Sequence, residues 1–366
     1  LWSDGDQFGY AIDLSPDGNT LAVGAIGEDS AATGINGDES DNSATGAGAV
    51  YVFVRSDDIW SQQAYVKASN AGIGHYFGVA VSLGANGDVM AVGSFDEGGS
   101  GVPGLDPLLD EDDPLVGTGA VYVFKRSGST WSEIAKLKAA NAEQEDSLGV
   151  AVAISNDGNT VARSAQEISE DYELVSVFDW DGSAWVQRGS DIKSEDGESN
   201  SWQAENGMIS MSNDGNTLAI GDPYNGHGNY AYFTGHVRVF DWDSSAWVQR
   251  GLDIDGEAKN DRFGDGVAIV NASNTLAVGA TGEDSNATGI GGDQTNNAAT
   301  DSGAVYVFTR TSDNWAQQAY LKASKTEAGD RFGYLVNRPT IARDCKRYLV
   351  LPTFIFRFIG FPSSSC

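Results

Sequence analysis

Cysteine, histidine, proline and basic side chains are all scarce in this 366-residue sequence, and each shortage closes off a class of chemistry. The two cysteines, Cys345 and Cys366, fall in the last 22 residues, so everything before them folds without disulfides or thiolate metal sites. The three histidines, His75, His227 and His236, stand in unlike surroundings and offer neither metal-ligand spacing nor a base beside a nucleophile. Carboxylates are so abundant that no acid–base pair can be singled out, and no phosphate-cradling glycine loop is present. Eight prolines against 46 glycines suit many short strands joined by tight turns and exclude a collagen-like or disordered chain. With 22 Lys and Arg against 52 Asp and Glu, the formal charge is −30 and the pI about 4.1. Such a surface repels nucleic-acid phosphates and anionic membrane lipid. The acidity reads in two ways, as diffuse solubilising charge or as capacity for divalent cations. The sequence opens at Leu1 with no basic-then-apolar leader pattern, as expected of a fragment or a mature chain.

What is abundant is repetition. Gly303–Trp315 reads Gly-Ala-Val-Tyr-Val-Phe-Thr-Arg-Thr-Ser-Asp-Asn-Trp, and Gly48–Trp60 and Gly119–Trp131 say almost the same. Two looser copies end in Phe178…Trp185 and Phe240…Trp247, and in all five the Phe-to-Trp step is seven residues. Copies 54 to 71 residues apart with a fixed internal spacing mark a repeated supersecondary unit.

Each unit divides into four strand-like pieces. In the first, Phe8–Leu14 alternates apolar with small or polar residues, except where Asp13 interrupts it. Pro16-Asp-Gly-Asn19 is a turn, and Thr20–Ala25 is a short apolar run of the kind buried on both faces. A long polar loop follows, then Ala49–Val54 and Trp60–Ala68. The turn returns as Asn86-Gly87, Asp157-Gly158, Asp214-Gly215 and, degenerate, Ser273-Asn274; the entry pair Phe-Gly returns at 77, 263 and 332, with Leu148-Gly149 in the third unit. Five complete repeats result, about 1–70, 71–141, 142–196, 197–258 and 259–325, with a partial sixth at 326–336. A single four-stranded sheet cannot bury both faces, and radial stacking of such sheets can. The expected fold is therefore all-β, a β-propeller of four-stranded antiparallel blades. A linear β-solenoid is the alternative, disfavoured because its coils are shorter and lack two hairpins per repeat.

The pattern Phe-Gly…Asp-Gly-Asn-Thr-Leu-Ala-Val-Gly-Ala…Gly-Ala-Val-Tyr-Val-Phe resembles the FG-GAP repeat of integrin alpha subunits and many surface proteins. The likeness covers about residues 1–336 and implies a propeller with a surface adhesion or ligand-recognition role. It departs from the family at the first hairpin, where calcium-binding members carry a longer Asp-rich loop. Ser15–Thr20 has one carboxylate and no closing Asp, so those calcium sites are not carried over.

The loops between second and third strands hold the candidate sites. Gly27-Glu-Asp-Ser-Ala-Ala-Thr-Gly-Ile-Asn-Gly-Asp38 and Gly282-Glu-Asp-Ser-Asn-Ala-Thr-Gly-Ile-Gly-Gly-Asp293 are nearly identical, and from the opening Gly to Phe53 or Phe308 both spans are 27 residues. Loops this long are usually functional or disordered, and two matched ones argue for a defined conformation. Glu28, Asp29, Asp38, Glu283, Asp284 and Asp293 are hard oxygen donors suited to calcium. The alternative is a loop ordered by Asx-turns and left-handed glycines with its charges solvated. In the second unit this loop carries the acidic run Asp110–Asp113, read as a solvated tip. Tyr224, His227, Tyr230 and Tyr232 form a candidate ligand-contact patch, with local packing as the alternative.

The recurring Trp at the start of each fourth strand reads as packing rather than sugar binding. Lys67, Lys138 and Lys322 read as outer-strand residues that blunt a sheet edge. Asn271-Ala-Ser273 and Asn286-Ala-Thr288 match the glycosylation sequon. From residue 337 the repeat fails: five basic residues and one acidic follow, and Tyr348–Pro362 is apolar but broken by Pro352 and Arg357. This 337–366 tail is read as non-native sequence from a shifted frame or splice, with a hydrophobic anchor as the alternative. The expected function is a non-enzymatic extracellular or cell-surface propeller that binds a protein or glycan partner through its rim loops. The alternative is a scaffold or substrate-positioning propeller of a larger secreted enzyme.

Overall fold

The computed structural model describes residues 5–98, 117–138, 147–167, 172–194, 208–226, 233–270, 274–334, 336–337, 349–351 and 354–356. The chain divides into two compact units, Leu1–Asp196 and Gly197–Cys366. Every complete repeat is one antiparallel propeller blade with its strands in chain order. The first blade comprises Phe8–Leu14, Thr20–Ala25, Ala49–Ser56 and Ile59–Val66. The second comprises Val81–Gly84, Val89–Ser94, Ala120–Ser127 and Thr130–Leu137. The third begins with Val152–Ile154, Thr160–Glu167 and Tyr172–Trp180; the fourth with Ile209–Met211, Thr217–Asp222 and His236–Trp242. In both, the outer strand is split, into Trp185–Gln187 with Ile192–Lys193 and Trp247–Gln249 with Ile254–Asp255. The fifth is Phe263–Val270, Thr275–Ala280, Ala304–Thr311 and Asn314–Leu321. The fold is an all-β propeller architecture of such blades, as the repeats imply.

The first hairpin is built by one Asp used locally. Ser15 Oγ donates to Asp17 Oδ1 at 2.6 Å and accepts from Thr20 N at 2.9 Å. The same pattern joins Ser155, Asp157 and Thr160, and Ser212, Asp214 and Thr217. Burial works against the charge on Asp17, but hydrogen bonds from Ser15 and Asn19 hold its carboxyl below the ordinary value. The Asp of each such turn is thus a structural Asx-turn residue.

Within each unit, cores lie between successive sheets. Val50, Val52 and Val66 of the first blade pack with Phe77, Leu83, Met90 and Tyr122 of the second. Leu276, Val278 and Tyr306 of the fifth pack with Val237, Val239 and Ile254 of the fourth. Backbones meet where the sequence alternates Val-Gly and Phe-Gly. A Cβ on Gly24 would stand 2.1 Å from the Gly78 carbonyl oxygen, and one on Gly279 would stand 1.9 Å from that of Gly333. Only glycine permits this approach.

Polar ties cross the same seams. Asp13, which interrupts the alternation of its strand, sends Oδ2 to accept from Leu83 N of the next blade at 2.7 Å. Ser82 Oγ accepts from Ile154 N at 3.2 Å, and Ser210 Oγ from Ile269 N at 3.1 Å. The outer Trp also serves the seam, as expected. Trp131 Nε1 donates to Gln63 of the preceding blade at 3.1 Å, and Trp315 Nε1 to the Arg250 carbonyl at 3.3 Å. Arg126 and Arg310 stack over these rings at 5.4 and 5.5 Å.

Phe332 and Val336 of the partial sixth repeat pack onto the fifth blade with Leu321 and Ala268. Among the described residues of the tail, Val336–Asn337 and Leu349–Leu351 flank Phe354–Phe356 in a three-stranded sheet. The rest of 337–366 lies outside the described residues, and no helix among those described is long and apolar enough to cross a membrane.

Candidate functional site: the rim loops

The loop after the second strand runs to the blade end where the link to the next blade also passes. Phe77 N donates to the Ala47 carbonyl and Phe332 N to that of Ser302, so loop and link are laced together. In the first blade the loop turns back along the outer strand, with Ile35 bridged to Val66 and Asn36 N donating to the Tyr65 carbonyl at 2.7 Å. In the fifth, Ile290 bridges Leu321 and Gly291 N donates to the Tyr320 carbonyl at 2.9 Å.

What fixes each loop is a buried ion pair. Lys67 Nζ donates to Glu28 Oε2 at 2.7 Å, with the two side chains 0% and 3% exposed. Lys322 Nζ donates to Glu283 Oε2 at 2.5 Å and to Ser302 Oγ at 2.7 Å. The reading of Lys67 and Lys322 as solvent-facing edge residues is therefore corrected. Their outer strands are covered by the returning loop, and the ammonium turns inward because a carboxylate awaits it there. Burial pulls both lysines below their ordinary pKa, and the facing glutamates partly restore it. The second blade keeps the glutamate as Glu97, which takes Lys136 at 2.5 Å and Lys138 at 2.6 Å. Lys138 too is an ion-pair partner, not an edge guard. The fourth blade places buried Asn225 where the first, second and fifth have glutamate, and Gly235 N donates to its carbonyl as Gly48 N does to that of Glu28.

The other candidate metal ligands face the loop's own backbone. Asp29 Oδ1 accepts from Gly46 N, and Asp284 Oδ1 from Asp301 N, both at 2.8 Å. Asp38 Oδ1 accepts from Ser40 N and Oγ; Asp293 Oδ1 accepts from Thr295 N and Oγ1. These bonds hold Asp38 and Asp293 below the usual carboxylate pKa. Among the described residues no three His, Cys, Asp or Glu side chains are grouped as a metal ion needs. The donor set is that of an ion pair and Asx-turns, with Glu28 and Glu283 buried rather than solvated.

Of the aromatic patch, His227, Tyr230 and Tyr232 lie outside the described residues. Tyr224 is half-buried and stands edge-on to Phe233 at 5.4 Å, with the Arg262 guanidinium 5.8 Å over its ring. Arg262 carried no signal of its own in the sequence; its position, directly before an entry pair, is the only mark it bears.

Acids gather beside the fifth loop. Burial pushes Asp261 up to about 7, helped by Glu283, Glu257 and Asp284. Burial likewise raises Glu257. Asp265 is pushed up to about 6 by burial, against a hydrogen bond from Thr281 and the charges of Arg262 and Arg331.

No family model matches this sequence, and no curated protein matches it. Among solved structures, a putative 6-phosphogluconolactonase from Bacteroides fragilis is similar over 87% of this chain and 86% of its own, at 12% identity and a TM-score of 0.40. The β-propeller domain of the Trilobed protease from Pyrococcus furiosus is similar over 86% and 72%, at 7% identity and a TM-score of 0.41. The Cps50 (Swd1) β-propeller domain of Myceliophteria thermophila is similar over 92% and 91%, at 9% identity and a TM-score of 0.38. At these identities and scores nothing of their activity transfers to this chain.

Proposed function

We propose that this chain is a non-enzymatic propeller that recognises a protein or glycan partner through its rim loops, at a cell surface or outside the cell. The observation that carries the reading is the pair of 27-residue loop spans, each locked by a buried Lys–Glu pair and a ladder of Asx-turns. A loop held in one conformation before it meets a partner loses little entropy on binding. Holding so long a loop rigid at the expense of two buried charges is hard to explain if the loop only connects strands. The likeness of the repeats to FG-GAP propellers supports the same reading.

The test replaces Ala31–Ser43, Asn286–Ala298 or both by short Gly-Ser links and leaves the ion pairs intact. Binding to arrayed glycans and surface glycoproteins is then compared with wild type. The expected result is that the single replacements weaken, and the double one abolishes, a binding that wild type shows, with far-UV circular dichroism unchanged. Undiminished binding by the double replacement would remove the loops from the recognition surface.

A further inference from the structure

The second blade holds one lysine more than its loop needs. In the first and fifth blades a single lysine, Lys67 or Lys322, meets the buried glutamate of the loop. Lys138 has that place in the second blade. It follows Leu137, the partner of Val121, as Lys67 follows Val66, the partner of Val50. Lys136 stands two residues earlier and opposite Tyr122, where the first and fifth blades pair Tyr51 with Tyr65 and Tyr306 with Tyr320. Its Nζ lies 2.5 Å from Glu97 Oε1, and that of Lys138 lies 2.6 Å from Oε2. Glu97 is 0% exposed. One buried carboxylate balances one ammonium group, and the second is in surplus.

The remaining member of the cluster is Asn70, in the link from the first blade to the second. Its Nδ2 donates to the same Glu97 Oε1 at 2.5 Å, so amine and amide meet at one oxygen. The Tyr122 hydroxyl donates to Asn70 Oδ1, and Lys136 Nζ lies 5.4 Å over the Tyr122 ring. Tyr122 is itself buried, with Phe77 edge-on to it at 5.4 Å. An amine, a carboxamide, a carboxylate that touches both and a hydroxyl on the amide oxygen are thus held together. They are the nucleophile, electrophile, proton carrier and oxyanion donor that an exchange of amides requires.

We propose that Lys136 and Asn70 join into an intramolecular isopeptide bond, with Glu97 as the proton carrier. Glu97 takes a proton from the ammonium, and the neutral Nζ attacks Asn70 Cγ. The carbonyl electron pair moves onto Oδ1, to which the Tyr122 hydroxyl donates. Glu97 passes its proton to Nδ2, the Cγ–Nδ2 bond breaks and ammonia leaves. The proton still in excess on Nζ goes by way of Glu97 to the ammonia, which departs as ammonium. The product keeps Glu97 with Lys138 alone, the one-to-one pairing of the first and fifth blades. The chain reacts once on itself, so the bond is a clasp and not an enzymatic activity. It ties the link between two blades to the outer strand of the second, in a region without cysteine.

The test is the intact mass of the folded full chain, with a tryptic map made after unfolding. Wild type is expected to be lighter than its sequence by one ammonia. Trypsin does not cut after an acylated lysine, so the map is expected to join Ala68–Lys125 to Ser127–Lys138. Lys136→Arg keeps the charge, cannot form the bond and is expected at full mass. It is also expected to melt below wild type, because a cross-link that closes a long loop restricts the unfolded chain. Asn70→Asp is expected to form the same bond with loss of water in place of ammonia. Tyr122→Phe is expected to slow bond formation about a hundredfold, as loss of an oxyanion donor does. Glu97→Gln also removes the loop's ion pair, so the decision rests on the lysine and asparagine variants. Folded wild type that stays at full mass overturns the proposal. So does an ammonia loss that persists in Lys136→Arg, which would mark a cyclic imide at an asparagine instead.

Discussion

The first and fifth blades are near copies, and the places where they part separate scaffold from surface. Their loop openings differ at two of twelve positions, Ala31 against Asn286 and Asn36 against Gly291. Both keep the Lys–Glu pair, the Asp-to-backbone bonds and the bridge to the outer strand. Around the entry pair they diverge: Gln7, Tyr10 and Ile26 in the first become Arg262, Asp265 and Thr281 in the fifth. What is shared holds the loop. What differs is charge at the rim end, carried on a framework that does not change.

The largest expected effect tests the shared part. Lys67→Met leaves the Glu28 carboxylate buried without its cation, and the cost is about 3–5 kcal/mol, read as a lower urea midpoint for the transition of its unit. Glu28→Leu with Lys67→Met removes both charges and is expected to recover most of that loss. Lys322→Met is expected to cost more than Lys67→Met, because Glu283 lies beside Asp261 and Glu257, and its uncompensated charge raises both further. If the double variant is as unstable as the single, the lysine contributes by packing and not by charge.

The next effect belongs to the fifth blade. Asp261 is pushed up to about 7 in the folded chain from an ordinary value of 3.8. The unfolded chain therefore gives up this proton first, and the sign follows: the contribution is present below pH 4 and lost as pH rises through 7. The linked change is a few kcal/mol at most, since each tenfold difference in proton affinity between folded and unfolded chain is worth ~1.4 kcal/mol. Asp261→Asn is expected to flatten this part of the stability profile between pH 4 and 7. A profile unchanged by the substitution would show that water or counter-ions already relieve the acid cluster.

A smaller effect compares the seams. Asp13 of the first blade accepts from Leu83 N of the second, whereas the fifth blade has Ala268 at that position. Asp13→Ala gives the first blade the fifth's arrangement and leaves a buried N–H without its acceptor, at about 1–3 kcal/mol. Asp13→Ser is expected to recover part of this, since Ser82 and Ser210 perform the same task elsewhere. Recovery by Ala as complete as by Ser would mean the amide finds another acceptor.

The blades were legible because their signals are local: a seven-residue Phe-to-Trp step, Asp-Gly turns, and glycines whose role is steric. The ion pairs were not, because each partner sits in a stretch with an ordinary explanation. Glu28 lies in an acid-rich loop and Lys67 ends an outer strand, and charge at either place is normally solvated. A signal was nonetheless present. Glu28 and Lys67, and Glu283 and Lys322, are both 39 residues apart, a match that follows from the two loops being equal in length and following the same path.

The smallest effect is at the one loop position where the copies differ by backbone rather than by charge. Asn36 has φ 57° and Gly291 has φ 72°, so both take the left-handed conformation that lets the loop return along the outer strand. Asn36 adds a bond that glycine cannot make, its Oδ1 accepting from Tyr65 N at 3.0 Å. Asn36→Gly therefore removes one hydrogen bond and is expected to cost about 1 kcal/mol. Gly291→Asn is expected to be neutral or slightly stabilising, since it restores that bond and reduces the freedom of the unfolded chain. Gly291→Ala has neither gain and takes on the strain of a left-handed alanine, about 1 kcal/mol. Thermal unfolding of the three variants ranks them. If Gly291→Asn proves as costly as Gly291→Ala, the two loops follow different backbone paths despite their shared sequence, and the fifth cannot be treated as the first with a recharged rim.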